Sequence, residues 1–289
     1  MAPESLSPSQ DRPAPLCSRL SAERGLPLIG TAGFYDSVLA FEFEAPWAPR
    51  LVGSRAGDLA LDAVLRRLSD DYPRLRLLAV EPGRARHGRV RILHLVRGQG
   101  SFREYRRREY GVDRDRLAAT LQALAEGAVD EELRVSCADG LRDILVCTHG
   151  ARDACCGKFG FGLYREFADL VRERGAGQAP VRVWRSSHLG GHRFAPTVLD
   201  LPSGRMFGRL AAGDAAAVLG GGAALARRLD AIYRGRCALP EAVQIAEREL
   251  WTRNGPDFAG AGLRWECDAE ADGWKVRLEA DGGGAAACH

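Results

Sequence analysis

Two short clusters constrain this chain of 289 residues more than any other feature of it. The first reads Cys147-Thr148-His149-Gly150-Ala151-Arg152-Asp153-Ala154-Cys155-Cys156-Gly157, and the second Ser187-His188-Leu189-Gly190-Gly191-His192-Arg193-Phe194. Thiolates and imidazoles gathered in this way suit a transition metal or an iron–sulfur site. Each cluster follows a stretch that reads as a strand, Asp143–Cys147 and Val181–Trp184. Both therefore sit in loops at strand C-termini, the usual binding edge of a sheet containing parallel strands. The fold must bring those two strand ends together.

Cys147 and Cys156 are separated by eight residues, whereas zinc fingers and ribbons favour shorter gaps. A longer loop is needed when two thiolates reach round a larger object such as an iron–sulfur rhomb. His188 and His192 would share a face on a helix, but Gly190 and Gly191 argue against helix there. Glycines instead let the backbone turn closely around a bound group. His149 is a further candidate ligand, or a residue that orients the loop. Cys17, Cys137, Cys237 and Cys267 read as small buried hydrophobes, and Cys288 as part of an unstructured tail. His87 and His94 have no cysteine near them. Gly220–Gly222 lacks the Lys-Ser/Thr ending of a phosphate loop, and common hydrolase signatures are missing.

The chain has the composition of a soluble globular protein, 46% hydrophobic and 27% charged. A net charge of +3 is too small to argue for nucleic acid. The densest basic run, Arg106-Arg107-Arg108, reads as a solvated helix face. Lys158 and Lys275 are the only lysines, and with the alanine and glycine content this points to a GC-rich bacterial coding bias. No segment reads as a secretory signal or a membrane span. The expected location is the cytoplasm, where disulfides rarely persist, which favours metal chemistry for several of the eight cysteines.

Residues 1–27 read as a disordered tail. Strands are expected at Val38–Glu44, Leu75–Val80 and Val90–Val96, with helices at Asp58–Leu68 and Asp115–Ala125. After a boundary between Glu126 and Arg134, the Asp143–Cys147 strand leads to a helix over Phe159–Glu173 and then to the Val181–Trp184 strand. A hairpin is expected from Thr197–Leu201 and Arg205–Leu210, then helices at Ala223–Tyr233 and Pro240–Trp251. A closing hairpin pairs Leu263–Cys267 with Trp274–Leu278. The fold class is α/β: two tandem thioredoxin-like units, residues 28–130 and 131–289, with the first abbreviated.

At the two clusters the chain resembles the sucrase/ferredoxin-like family. The likeness continues in Leu201-Pro202-Ser203-Gly204 and Tyr233-Arg234-Gly235, and upstream in Gly30-Thr31-Ala32 and Pro46-Trp47. It implies no sugar hydrolysis. It implies instead that the second unit is a thioredoxin-like ferredoxin carrying a [2Fe–2S] cluster. In one branch of that family two cysteines and two histidines hold the cluster, which maps to Cys147, Cys156, His188 and His192. Cys156 is preferred because it precedes the Gly157 that closes the family's loop motif, with Cys155 and His149 as second choices.

The resemblance implies an electron carrier more than a catalyst, working with an unidentified redox partner protein; from the charge and the lack of an apolar span, neither nucleic acid nor membrane is expected as a partner. Two neutral imidazoles leave such a cluster less negative than four thiolates, so its potential should lie above the four-cysteine value of about −400 mV. A free histidine nitrogen can exchange a proton, so the potential should fall as pH rises. Arg152, Lys158 and Arg193 stand beside the ligands and could stabilise the reduced form. The alternative readings are a structural or regulatory zinc site on the same four residues, and thiol–disulfide chemistry at Cys155-Cys156.

Overall fold

The alternation of β-branched and apolar residues after Asp36 commits the first half to a sheet. The computed structural model describes residues 16–53, 58–83, 89–128, 130–175, 177–270 and 273–281, and the backbone of 284–288. Helix α1 (Cys17–Glu23) precedes β1 (Ser37–Glu42), α2 (Leu59–Asp71), β2 (Leu75–Val80), β3 (Arg89–Val96), β4 (Arg106–Asp113) and α3 (Leu117–Ala125). The second half runs β5 (Arg142–Cys147), α4 (Ala154–Glu173), β6 (Val181–Ser186), β7 (Val198–Leu201) and β8 (Arg205–Phe207). Three short helices follow, α5 (Asp214–Gly220), α6 (Gly222–Ala226) and α7 (Leu229–Ile232), then β9 (Tyr233–Arg236) and α8 (Glu241–Asn254). The chain closes with β10 (Leu263–Glu270), β11 (Gly273–Ala280) and β12 (Gly284–Cys288).

Nine strands form one mixed sheet in the order β4-β3-β1-β2-β6-β5-β7-β8-β9, and β10-β11-β12 form a small antiparallel sheet. The protein is thus α/β. Each half repeats one plan: a parallel strand pair linked by a helix (β1 and β2, β5 and β6), with two antiparallel strands added beside the first member. The halves meet where β2 and β6 overlap at their C-terminal tips, Val80 opposite Ser186. The seam is pinned by Ser187 N–H to Ala79 O at 2.8 Å, Glu81 N–H to Arg185 O at 3.0 Å, and Ala79 N–H to Ser187 Oγ at 2.9 Å.

Period-2 alternation decides how the halves pack. Leu39, Phe41, Ile92 and Tyr110 face α2 and α3 in one core. Val38, Ala40, Leu93 and Leu95 point the other way and join the core of the second half. On that face Arg107 and Glu109 of β4 reach Asp143 of β5 and Arg182 of β6, with Arg182 to Glu109 at 2.6 Å and to Asp143 at 2.7 Å. Trp184 Nε1 donates to the same Asp143 at 2.6 Å.

Several expectations are corrected here. Arg106–Arg108 lies in β4 and not in a helix, and Arg107 is drawn into the buried ion pairs; β4 is also the strand whose omission made the first half look abbreviated. The helix expected over Ala223–Tyr233 is two short helices, because the chain turns into β9 at Tyr233. Helix α4 starts at Ala154, a turn earlier than its apolar pattern shows. Residues 17–23, inside the expected tail, are helix α1, while 1–15 lie outside the described residues. His87 also lies outside them, and His94 is buried in β3 away from the clusters.

Candidate metal centre

Cys147 is the last residue of β5, opposite Ser186 in the parallel register, and its N–H donates to Thr197 O at 3.1 Å. Asp153 caps α4, accepting from Cys155 N–H at 2.8 Å, so both vicinal cysteines fall in the first helical turn. The helix can approach β5 because glycines face it. A Cβ at Gly157 would stand 2.8 Å from Gly150 Cα, and one at Gly160 would overlap the Cys147 carbonyl. This close approach, together with the capped turn, carries the Cys156 sulfur to Cys147.

The second loop leaves β6 and is anchored by buried Leu189. Gly190 and Gly191 take φ of +89° and +71°, a region that favours glycine, and His192–Phe194 then form a single 3₁₀ turn. Gly191 is needed for space as well, since a Cβ there would overlap the Arg234 guanidinium. Arg234 is buried and donates from Nε to Thr31 Oγ1 at 3.0 Å, from one terminal nitrogen to Gly190 O at 3.1 Å, and from the other to Thr31 O. It has no carboxylate among these partners. Arg76 of β2 donates to His188 O. The histidine loop is thus held by one arginine from each half, half-buried Arg76 of β2 and buried Arg234 of β9, the latter tied in turn to Thr31 of the first half.

The Cys147 and Cys156 sulfurs and one ring nitrogen of His188 lie within 4.8 Å of one another. His188 Nδ1 is 3.9 Å from Cys147 Sγ and 3.8 Å from Cys156 Sγ. Both cysteines are fully buried. Contact with the Cys156 sulfur outweighs the cost of burial and, with His188 and the backbone N–H groups of His149 and Leu189, holds the Cys147 thiol well below its ordinary range. Cys156 moves the opposite way, raised by Cys147 and by burial. One thiolate is thus stabilised and a second is resisted until a cation shares the charge. Two convergent soft donors and an imidazole fit a transition metal or an iron–sulfur cluster.

His192 stands beside this triad rather than in it. Its ring centroid is 5.9 Å from that of His188, it is 47% exposed, and its Nε2 lies 3.9 Å from Asp153 Oδ2. With Cys17 and Asp153 it forms a second convergent group. The two remaining candidates have other contacts. His149 Nδ1 accepts from His188 N–H at 3.2 Å, so its Nε2 carries the proton given to Trp47 O at 3.1 Å. Burial lowers its pKa, which keeps the ring neutral and both nitrogens occupied. Cys155 Sγ lies 3.3 Å from Cys17 Sγ. Arg152, Lys158 and Arg193 are all exposed around the loops.

The family model described as sucrase/ferredoxin-like matches residues 28–235. The chain belongs to the sucrase/ferredoxin-like family. Two curated relatives carry the name altered inheritance of mitochondria protein 32. That of Meyerozyma guilliermondii is 36% identical over 59 residues, covering 20% of this chain and 21% of the relative. That of Debaryomyces hansenii is 42% identical over 60 residues, covering 21% of each. The chain thus spans about a fifth of the length of the relatives it matches. No solved structure matches it. Both relatives are yeast proteins, so the bacterial origin expected from composition gains no support from them. No helix among the described residues is long and apolar enough to cross a membrane.

Proposed function

We propose that this family member is a [2Fe–2S] electron-transfer protein with Cys147, Cys156, His188 and His192 as ligands. The observation that carries the reading is the convergence of two buried thiols and the His188 ring within 4.8 Å. Cys156 is chosen over Cys155 because its sulfur faces His188 while that of Cys155 faces Cys17. When bound, the cluster would supply one-electron transfer at a potential above that of a four-thiolate site. The chain's own part is electrostatic and positional. The capped start of α4 favours thiolate charge, as helix N-termini do. Arg76 and Arg234 fix the histidine loop through its carbonyls and add positive charge, half-buried and buried respectively, which favours the reduced and more negative state.

The repeated strand plan supports two thioredoxin-like units joined edge to edge, the second holding the ligands. Partial exposure of His192 gives electrons a short route to the surface and to a redox partner protein. The name shared by the yeast relatives connects those proteins with mitochondrial inheritance. Over so short a match, a cytoplasmic place for this chain stays part of the proposal.

The test is anaerobic purification, with iron, acid-labile sulfide and the visible spectrum measured for the wild type and for His188→Ala and His192→Ala. Two irons and two sulfides per chain, lost or spectrally shifted in both variants, is the expected result. A colourless protein holding one zinc would sink the electron-transfer reading in favour of a structural Cys2His2 site.

A further inference from the structure

On the first-half side of the centre, the seam encloses a cavity of about 460 Å³. That is within the range of small-molecule sites. Both halves build it: Arg50 comes from the loop after β1, Tyr72 and Arg76 from α2's end and β2, Arg152 and His188 from the two cluster loops. Leu51, Leu65 and Leu77 complete an apolar wall. Three guanidinium groups line this space, and among the described residues no carboxylate does. A larger cavity elsewhere, about 660 Å³, differs in mixing its arginines with Glu266 and Glu279.

Arg76 makes the uneven charge informative. It donates to His188 O and its guanidinium stands 5.6 Å from the Tyr35 ring, yet its Nε–H is buried without an acceptor. Buried donors normally find partners, because leaving one unmade is costly. Arg50 and Arg152, one from each half, are exposed residues of the same lining. Guanidinium forks match carboxylate and phosphate oxygens.

We propose that this cavity binds a small organic anion. A carboxylate or phosphate head would be held by Arg50, Arg76 and Arg152, with an apolar body against Tyr72 and the leucine wall. The occupant would then cover the His188 side of the metal centre. Binding rests on the cavity and its charges and holds whether or not an iron–sulfur cluster is present.

The experiment is calorimetric titration of the full-length chain, as purified, with phenyl phosphate, benzoate, inorganic phosphate and benzyl alcohol. At least one aryl anion should bind at one site per chain, and more tightly than inorganic phosphate, while neutral benzyl alcohol should not bind. Arg50→Gln and Arg152→Gln should each weaken that aryl anion about tenfold and should melt at the wild-type temperature, since both side chains are exposed. Whichever aryl anion binds more tightly identifies the head group. Failure of both aryl anions to bind, or undiminished binding by a variant carrying both Arg50→Gln and Arg152→Gln, overturns the proposal. Inorganic phosphate bound as tightly as the better aryl anion, an adventitious ion only, overturns it too. Iron and sulfide measured on the same sample judge the electron-transfer reading separately: a colourless protein that binds the anion keeps the cavity, and a coloured one that does not bind loses it.

Discussion

At the residue scale, vicinal Cys155 and Cys156 receive opposite surroundings from one helical turn. Cys156 points to Cys147 and His188, and Cys155 points to Cys17. Cys156→Ser should therefore lose iron and sulfide, while Cys155→Ser should retain both; elemental analysis of the two purified variants checks this. A reversed result would move the ligand to Cys155. His149 acts one step behind the proposed ligands, holding the His188 backbone with one nitrogen and Trp47 O with the other. His149→Leu leaves a buried donor and a buried acceptor without partners, at about 1–3 kcal/mol each. A urea denaturation midpoint lowered accordingly, with weakened iron retention, is the expected outcome. The two clusters, and the orienting reading of His149, were legible because each donor type has few other uses in such a pattern. Arg76 and Arg234 were not, since a sequence with 41 lysine and arginine residues gives no sign of which few are buried.

At the element scale, the centre depends on how closely α4 approaches the end of β5. Replacing Gly160 by alanine would gain up to about 1 kcal/mol of helix propensity. The added methyl would overlap the Cys147 carbonyl, and relieving such overpacking costs typically 1–3 kcal/mol. Gly160→Ala should therefore lower the melting temperature and disturb the centre's spectrum. Gly162→Ala, with open space around its Cβ, should raise the melting temperature slightly. Scanning calorimetry on the pair decides. The start of α4 is hidden because residues 154–158, with Gly157 and the vicinal cysteines, carry no large apolar side chain to mark a face, and the Asp153 cap is the better signal. Strand β4 was missed for a related reason. Its inward face carries Arg107 and Glu109, so the alternation is one of charge pairing rather than of hydrophobicity.

At the scale of the whole molecule, the two halves share a sheet edge, a core and a set of buried charges. Burial alone would raise the Glu109 pKa, but hydrogen bonds from Arg182 and Arg107 outweigh it and hold the carboxyl below its ordinary 4.5. Its contribution is then complete above pH 4.5 and is lost as pH falls through the lowered folded-state value. Acid should loosen the contact between halves, and Glu109→Gln should remove part of that pH dependence. The variant should also cost about 3 kcal/mol near neutral pH, because Arg182 and Arg107 stay buried with one acid instead of two. Urea melts at pH 7 and pH 4 test both statements.

By itself the sequence determined the α/β class, most of the strands and helices, and the four residues offered as ligands. Local periodicity and the chemistry of thiols and imidazoles are written residue by residue, so they can be read without neighbours. The tertiary structure alone decided which cysteine of the pair faces His188, which arginines lose their water, and how β2 and β6 join at their tips. Those outcomes depend on groups from distant parts of the chain competing for the same buried space, and that competition exists only after the two halves have packed.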